Sequence, residues 1–504
     1  MNAIYKIFDN NKIFNIILTV TILFIFISRL SLLNKGHMHF ADELRYRYAF
    51  RTMDEIAEGK YRHGLSNLFR AYNRPGFILL SMVTCSIQRI FDNDVGRLDN
   101  PEHDDLRTYF IPSLVNLIST IAIIFMMYLF LLYFTKDRFI SFSGMVIYSL
   151  LNTNIMELRH MTPYYWAEIF FLLIIYKIIR LKVNREYSAK ELISFGILTS
   201  LAFNVYPGYY NLALLVAGLI FFTGRNKLRI AVLFLCSFLL PIVIFEAISR
   251  YAELPYLFEN KKLKAMYDAL PTNPQEKWDF VWIIKYMLGI EGIMGGILLA
   301  FSVAWLALDL PRRSTNNKVK IVYCLILIHY AFIVTMIYTL GKFTLRTKYC
   351  HPFIFFIVLS VFLLINRVKR FRLILIAALL VLSSISYIYY YGQYLEAVYP
   401  RDLRQLVREK YPDKKIINTA EFYDKNTQMA QLYLANRDGY DFLGVNLRTI
   451  GRAVNKGHNP IDLPEENLLM SYPMPEQVYG PYTNSALSFS KERGGYKMRI
   501  YRLR

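Results

Sequence analysis

Apolar runs about as long as the hydrocarbon core of a bilayer is thick recur along this chain, and they limit its fold more than any motif does. Inside hydrocarbon no water is present to satisfy backbone N–H and C=O groups, so a crossing segment must be a helix or a strand of a closed barrel. These runs are continuous rather than alternating, which selects helices. The first, Ile13 to Leu33, follows Lys6 and Lys12, and no small-x-small cleavage pattern comes after it, so it is expected to be a retained anchor. Further crossings are expected at Tyr109–Phe134, Phe139–Met156, Pro163–Ile179, Leu192–Val205, Gly208–Phe222, Ile230–Ile248, Ile290–Leu308, Ile321–Leu340, Phe353–Ile365 and Leu373–Tyr390, about eleven in all. The two that flank Tyr206-Pro207-Gly208 are short and meet at a turn signal, as a broken pair would.

With 55% hydrophobic and 19% charged residues, the chain belongs to the polytopic α-helical membrane class. Its formal net charge of +21 raises the question of nucleic acid, but the cations sit mostly in short segments between apolar runs, where topology rules put them. Nucleic acid is therefore not an expected partner; the bilayer is. With the N-terminus inside, the turns at Lys136/Arg138, Lys177 to Lys190, Arg225/Lys227/Arg229, Arg312 to Lys320 and Arg367 to Arg372 all fall on the cytoplasmic side. Cys85, Cys236, Cys324 and Cys350 lie in or beside apolar runs without ligand spacing and read as small hydrophobes.

Two regions are made of different material. The first external loop, 34–108, is polar and is interrupted by Gly76 to Phe91, a stretch whose length suits a re-entrant or interfacial helix better than a crossing. Counting it as a crossing would put the basic turns on the opposite face to the N-terminal lysines. The tail, 392–504, is punctuated by prolines such as Pro400, Pro412, Pro460 and Pro473 and reads as a small extracytoplasmic α/β domain after a transmembrane module, 1–391. Helices are expected at Asp402–Lys410 and Thr427–Ala435, and strands at Lys415–Thr419 and Tyr496–Leu503.

Asp42 and Glu43 are adjacent carboxylates just beyond the first apolar run, beside Arg45, Tyr46 and Arg47. Leu44, Tyr48, Met53 and Ile56 recur at nearly four-residue spacing, so the stretch also reads as an amphipathic helix on the lipid surface. The two readings are compatible, since such a helix would hold the carboxylates at the membrane surface.

The order Asp42-Glu43-Leu44-Arg45-Tyr46 resembles the Asp-Glu-x-Arg-Tyr signature after the first transmembrane helix of GT-C-fold glycosyltransferases that use polyprenyl-phosphate sugars, notably lipid A aminoarabinose transferases and protein O-mannosyltransferases. Arg74-Pro75-Gly76 resembles the Lys-Pro that opens a juxtamembrane helix in those proteins. Arg159-His160-Met161-Thr162-Pro163-Tyr164-Tyr165 followed by Glu168 resembles their external Arg/Tyr-rich turn and its acidic residue. Arg346-Thr347-Lys348-Tyr349-Cys350-His351-Pro352 is similar to their late Arg-Tyr-x-x-Pro stretch. Arg stands at 74 where the family has Lys, Glu at 168 where it has Asp, and the Trp-Trp-Asp signature is missing, which argues against oligosaccharide transfer to asparagine.

The resemblance implies transfer of one sugar from a polyprenyl-phosphate carrier, such as undecaprenyl phosphate, to a hydroxyl of an extracytoplasmic acceptor. That acceptor would be a surface or lipid-linked glycan, O-antigen or lipid A of a lipopolysaccharide, ahead of a protein, at a bacterial inner membrane. The carrier's tail stays in the bilayer and its phosphate at the interface, so the reacting centre must lie near external helix ends. Asp42 is the expected base, with Glu43 as second choice or orienting partner. Arg74, then Arg159 and Lys348, are the expected phosphate ligands, joined by Arg45, Tyr46, His160 and Arg346. Tyr164, Tyr165 and Tyr206 are candidates to stack on the sugar. Glu168 stands out because a carboxylate just inside a membrane helix is costly unless paired or functional. An interfacial Arg more often only meets lipid headgroups. The fold would accommodate a divalent metal between acidic residues, and nothing in the sequence requires one. The alternatives are a transporter or flippase of a lipid-linked sugar, which would need ionisable groups along a path near the bilayer midplane, and an O-antigen ligase-like enzyme.

Overall fold

The computed structural model describes residues 8–33, 46–70, 74–91, 110–156, 158, 163–182, 184–254, 256, 282–309, 351–396, 406–407, 409–414, 416–418, 441–446, 465–473 and 497–502. The expected crossing at Ile321–Leu340 and the expected helix at Thr427–Ala435 lie outside them. The described chain is predominantly helical. In order it forms α1 (Asn11–Leu30), α2 (Tyr46–Ala57), α3 (Tyr61–Arg70), α4 (Pro75–Phe91), α5 (Phe110–Thr135), α6 (Arg138–Ser149), α7 (Thr153–Met156), α8 (Tyr164–Arg180), α9 (Ala189–Val205), α10 (Tyr210–Thr223), α11 (Lys227–Tyr251), α12 (Trp282–Asp309), α13 (His351–Arg367) and α14 (Arg372–Glu396). Among the described residues five helices are long and apolar enough to cross a membrane: α1, α5, α11, the part of α12 from Glu291 to Leu308, and α14 from Arg372 to Gln393.

Four of the helices begin at side-chain caps readable in the sequence. Asn10 caps α1 and Asn226 caps α11. Ser188 and Glu191 close a capping box on α9, and the Asp137 carboxylate accepts from the Ile140 amide at the start of α6. Each cap satisfies donors that the helix leaves unpaired at its N-terminus.

Contacts between the ends sort the helices into two levels. The Phe8 carbonyl accepts from Arg138 at 3.3 Å, Asp137 pairs with Arg372 at 2.9 Å, and Tyr133 donates to the Ile179 carbonyl at 3.0 Å. Arg185 and Gly224 form a backbone bridge. The start of α1 and the turns α5–α6, α8–α9, α10–α11 and α13–α14 are thus tied together at one end of the bundle. These are the described turns that the charge pattern assigns to one side.

At the other end lies α4, and it does not cross. Its first turn packs on the last turn of α9, where a Cβ on Gly76 would run into the backbone of Asn204 and Val205. Near its last turn, the Gln88 side chain accepts from the Ile111 amide at 2.8 Å, which satisfies an unpaired donor at the start of α5. Both of its ends therefore sit at the end of the bundle opposite the basic turns. Arg89 forks onto Asp54 at 2.6 and 3.0 Å, which ties α4 to α2, and Phe69 of α3 meets the ring of Tyr256, beyond the end of α11. Helices α2, α3 and α4 form a layer across the helix ends, in line with the interfacial helices expected for the first external loop.

The expected crossing at Phe139–Met156 differs. It breaks after Ser149 into the 12-residue α6 and the 4-residue α7, where the amides of buried Asn152 and Thr153 turn to Glu291 and the Asn154 side chain donates back to the Tyr148 carbonyl of α6. In the tail, β1 (Ile416–Asn418), β2 (Phe442–Asn446), β3 (Leu468–Pro473) and β4 (Lys497–Arg502) make one sheet of order β1-β2-β4-β3. Strands β1 and β2 are parallel, while β4 runs antiparallel to both β2 and β3. Two strands fall where the sequence puts them; β2 and β3 were not expected.

Helix α4 buries Phe77, Ile78, Ser81, Thr84, Cys85 and Gln88 and exposes Leu79, Val83, Ile87, Ile90 and Phe91. An apolar outer stripe on a helix lying across the bundle end fits a lipid surface. A nitroxide at Val83→Cys, in a background without the native cysteines, is expected to be more accessible to oxygen than to a water-soluble nickel chelate. The reverse order would mean that this stripe faces water.

Candidate functional site

Two polar clusters lie at the end of the bundle opposite the basic turns, and the first turns of α8 join them. The first is built on Tyr206, which follows α9. The Arg74 guanidinium lies 4.8 Å from the centre of the Tyr206 ring, and Tyr164 and Tyr209 each meet that ring edge-on with centroids 4.8 Å away. Arg74, Tyr164, Tyr206 and Tyr209 are all buried. A cation over an aromatic face is attracted by the ring quadrupole, more strongly where water is excluded. Beside them Asn204 donates to the Ser200 carbonyl at 2.8 Å and accepts from the Tyr256 hydroxyl. Burial, reinforced by the Glu246 carboxylate, pushes the Tyr256 hydroxyl well above the usual phenol range, so it remains a donor.

The second cluster surrounds the break between α6 and α7. Glu291 is 1% exposed, and its Oε2 accepts from the Asn152 amide at 2.7 Å. Its Oε1 accepts from the Thr153 amide at 2.8 Å and the Thr153 hydroxyl at 2.5 Å. Gly292, next in the chain, has φ 59° and ψ −143°, a backbone region open in practice only to glycine, and kinks α12 there. On the other side of the break, buried Arg29 donates to the Ser149 carbonyl at the end of α6 and to the Ile25 carbonyl at 3.2 Å. Tyr165 of α8 donates to the Thr153 carbonyl at 2.9 Å.

Of the residues singled out in the sequence, Arg74 and Tyr164 meet at Tyr206, while Tyr165 belongs to the second cluster. Glu168 is buried on α8 one turn beyond Tyr164. Asp42, Glu43, Arg45, Arg159, His160, Arg346 and Lys348 lie outside the described residues; of Tyr46 only the backbone, at the start of α2, is described. Among the described residues no three His, Cys, Asp or Glu side chains converge as metal ligands.

Sequence reasoning missed Arg29, Asn204, Tyr256 and Glu291. Two of them carried a signal: Arg29 interrupts the first apolar run and Glu291 opens a later one, and a charge at such a position calls for a partner. Compared with known families, characterised proteins and solved structures, the chain gives no match.

A Cβ added at Gly76 would lie 2.8 Å from the Asn204 carbonyl carbon and the Val205 nitrogen, both backbone atoms that cannot rotate away. Gly76→Ala is expected to destabilise the protein by about 1–3 kcal/mol, read as a lower midpoint of thermal unfolding in detergent.

Proposed function

We propose that this protein is an inverting glycosyltransferase that moves one sugar from a polyprenyl-phosphate carrier to a hydroxyl of an extracytoplasmic glycan or lipid. In this reading it has a GT-C-like transmembrane module of about eleven crossings in a bacterial inner membrane. The N-terminus is cytoplasmic, and 392–504 is a periplasmic domain that helps hold the acceptor or cover the site. The observation that carries the reading is the meeting of Arg74 and Tyr164 on Tyr206 at the end opposite the basic turns. Helix α1 finishes at that same end, since Arg29 of its last turn reaches Ser149, and Asp42 and Glu43 follow it in the chain.

The chemistry needs three things there. An acceptor oxygen bonds to the anomeric carbon as the bond from that carbon to the phosphate oxygen breaks, and the electron pair leaves with the phosphate. Asp42 takes the hydroxyl proton, with Glu43 orienting it or standing in for it. Arg74 offsets the charge that develops on the phosphate, supported by Arg45, Tyr46, Arg159, His160, Arg346 and Lys348. Tyr164, Tyr165 and Glu168 form the sugar-facing side. A divalent metal, if bound, would offset charge on the same phosphate.

The second reading, a transporter or flippase of a lipid-linked sugar, draws on the break between α6 and α7 and the kink at Gly292, since broken helices mark transport sites. Those features lie at the level of the last turn of α1, however, rather than halfway along the bundle.

In membranes supplied with polyprenyl-phosphate sugars, Asp42→Asn is expected to lower transfer by roughly 100-fold or more while leaving expression and folding intact. Full retained transfer would remove Asp42 as the base. Movement of intact lipid-linked sugar across proteoliposomes without release of free carrier would favour transport.

A further inference from the structure

The corner between α6 and α7 is held by two opposite charges from helices far away in sequence. Arg29 of α1 donates to the last carbonyl of α6, that of Ser149. Glu291 of α12 accepts two consecutive amides, Asn152 and Thr153, together with the Thr153 hydroxyl. The cation sits at a helix C-terminus and the anion at the start of the next helical turn, so each charge opposes the partial charge of the backbone it meets. Both side chains are 1% exposed. A buried charge in such a place is expensive unless its partners are fixed, and these partners are backbone atoms.

What the corner supports is the edge of α8 that faces the candidate site. Tyr165 donates to the carbonyl of Thr153, the residue that Glu291 grips on its other side. One residue before Tyr165 is Tyr164, which packs on the ring that carries Arg74. A continuous path of contacts therefore runs from Glu291 through Thr153 and Tyr165 to Tyr164, Tyr206 and Arg74. The last helix lies beside both residues as well: Tyr387 lies under the Arg29 guanidinium, Tyr391 donates to the Ser28 carbonyl at 2.5 Å, and the Tyr390 hydroxyl lies 3.3 Å from where a Cβ would be on Gly292, the residue after Glu291.

We propose that Arg29 and Glu291 are a pair of positioning residues that clamp the α6–α7 corner and thereby set the Tyr164–Tyr206–Arg74 stack for binding a lipid phosphate. The clamp touches no substrate, and its link to a lipid phosphate rests on the function proposed above.

The test uses the full chain in nanodiscs, with polyprenyl phosphate lacking a sugar as the probe. In Glu291→Gln, amide exchange over 150–156 and 164–168 is expected to accelerate at least tenfold while α9 to α11 stay protected. The Kd for polyprenyl phosphate is expected to rise about tenfold at unchanged binding stoichiometry. Arg29→Met should behave alike, and the double variant should add little, because either loss opens the same corner. Unchanged exchange over 150–156 and 164–168 in a folded Glu291→Gln overturns the clamp. Lower stoichiometry at unchanged Kd also overturns the positioning role, since that is what a smaller folded fraction gives. If Glu291→Gln does not fold, Thr153→Val, which removes only the hydroxyl bond, decides by the same two readouts, with about a threefold change expected in each. If the native protein binds no polyprenyl phosphate, the lipid-phosphate reading falls, and exchange alone decides whether the corner is clamped.

Discussion

The arrangement depends on how backbone groups are satisfied where a helix in an apolar medium stops. Within a helix every interior N–H and C=O has a partner, but each end leaves several without one, and where such an end is buried or in hydrocarbon no water takes them. At the basic end, short polar side chains next to the helices supply those partners, as Asn10, Asp137, Ser188 and Asn226 do. At the other end they come from other helices: Gln88 serves the start of α5, Glu291 the start of α7 and Arg29 the end of α6. At the first end the caps are local and the turns are joined by separate contacts such as Asp137 with Arg372. Borrowed caps make the second end one connected network.

That difference explains why the candidate residues gather at one end. Arg74 just before α4, Tyr164 of α8 and Tyr206 following α9 meet there because the layer of α2, α3 and α4 lies across the helix ends rather than beside them. Gly76 permits the closest of these contacts, and through it Arg74 is brought over Tyr206. The bundle end is closed partly by amphipathic helices whose outer stripe is apolar, as on α4, where Val83 and Ile90 are exposed.

Long apolar helices were legible because hydropathy integrates over many residues. Helix α5 (Phe110–Thr135) and α11 (Lys227–Tyr251) fall within a few residues of where the sequence places them. The non-crossing α4 was legible from its length and from the sign of the flanking charges. The break after Ser149 was not: Leu150 and Leu151 carry the apolar run onward, and the polar Asn152-Thr153-Asn154 reads as tolerable inside a span until Glu291 is seen to hold it. Glu291 was missed for the matching reason, since one carboxylate at the edge of a run looks like a flank. Strands β2 and β3 are short and Leu468–Pro473 carries a bulge, so no clean alternation marks them. Arg74 and Tyr164 were both legible as candidates, but their shared partner Tyr206 had entered only as a possible sugar platform.

The hydrogen-bonding state of the buried carboxylates also limits which of them is fit for proton transfer. A general base must offer a lone pair to a substrate hydroxyl within hydrogen-bond reach. Glu291 accepts three hydrogen bonds from two residues, its Oε1 taking two of them. Three of its four lone-pair sites are taken, and protonating it would weaken its hold on two buried backbone amides. Glu291 is thus suited to hold a backbone and less suited to the base's part in the proposed transfer. Glu246 has Arg250 at 3.9 Å on its own helix and Tyr256 close by, which assigns it to the packing beside Asn204. Helix-embedded carboxylates with such fixed partners are poor competitors for the role of base. In the transfer proposed above, the demand therefore shifts toward carboxylates beyond a helix end, and Asp42 and Glu43, which follow α1, have that position in the chain.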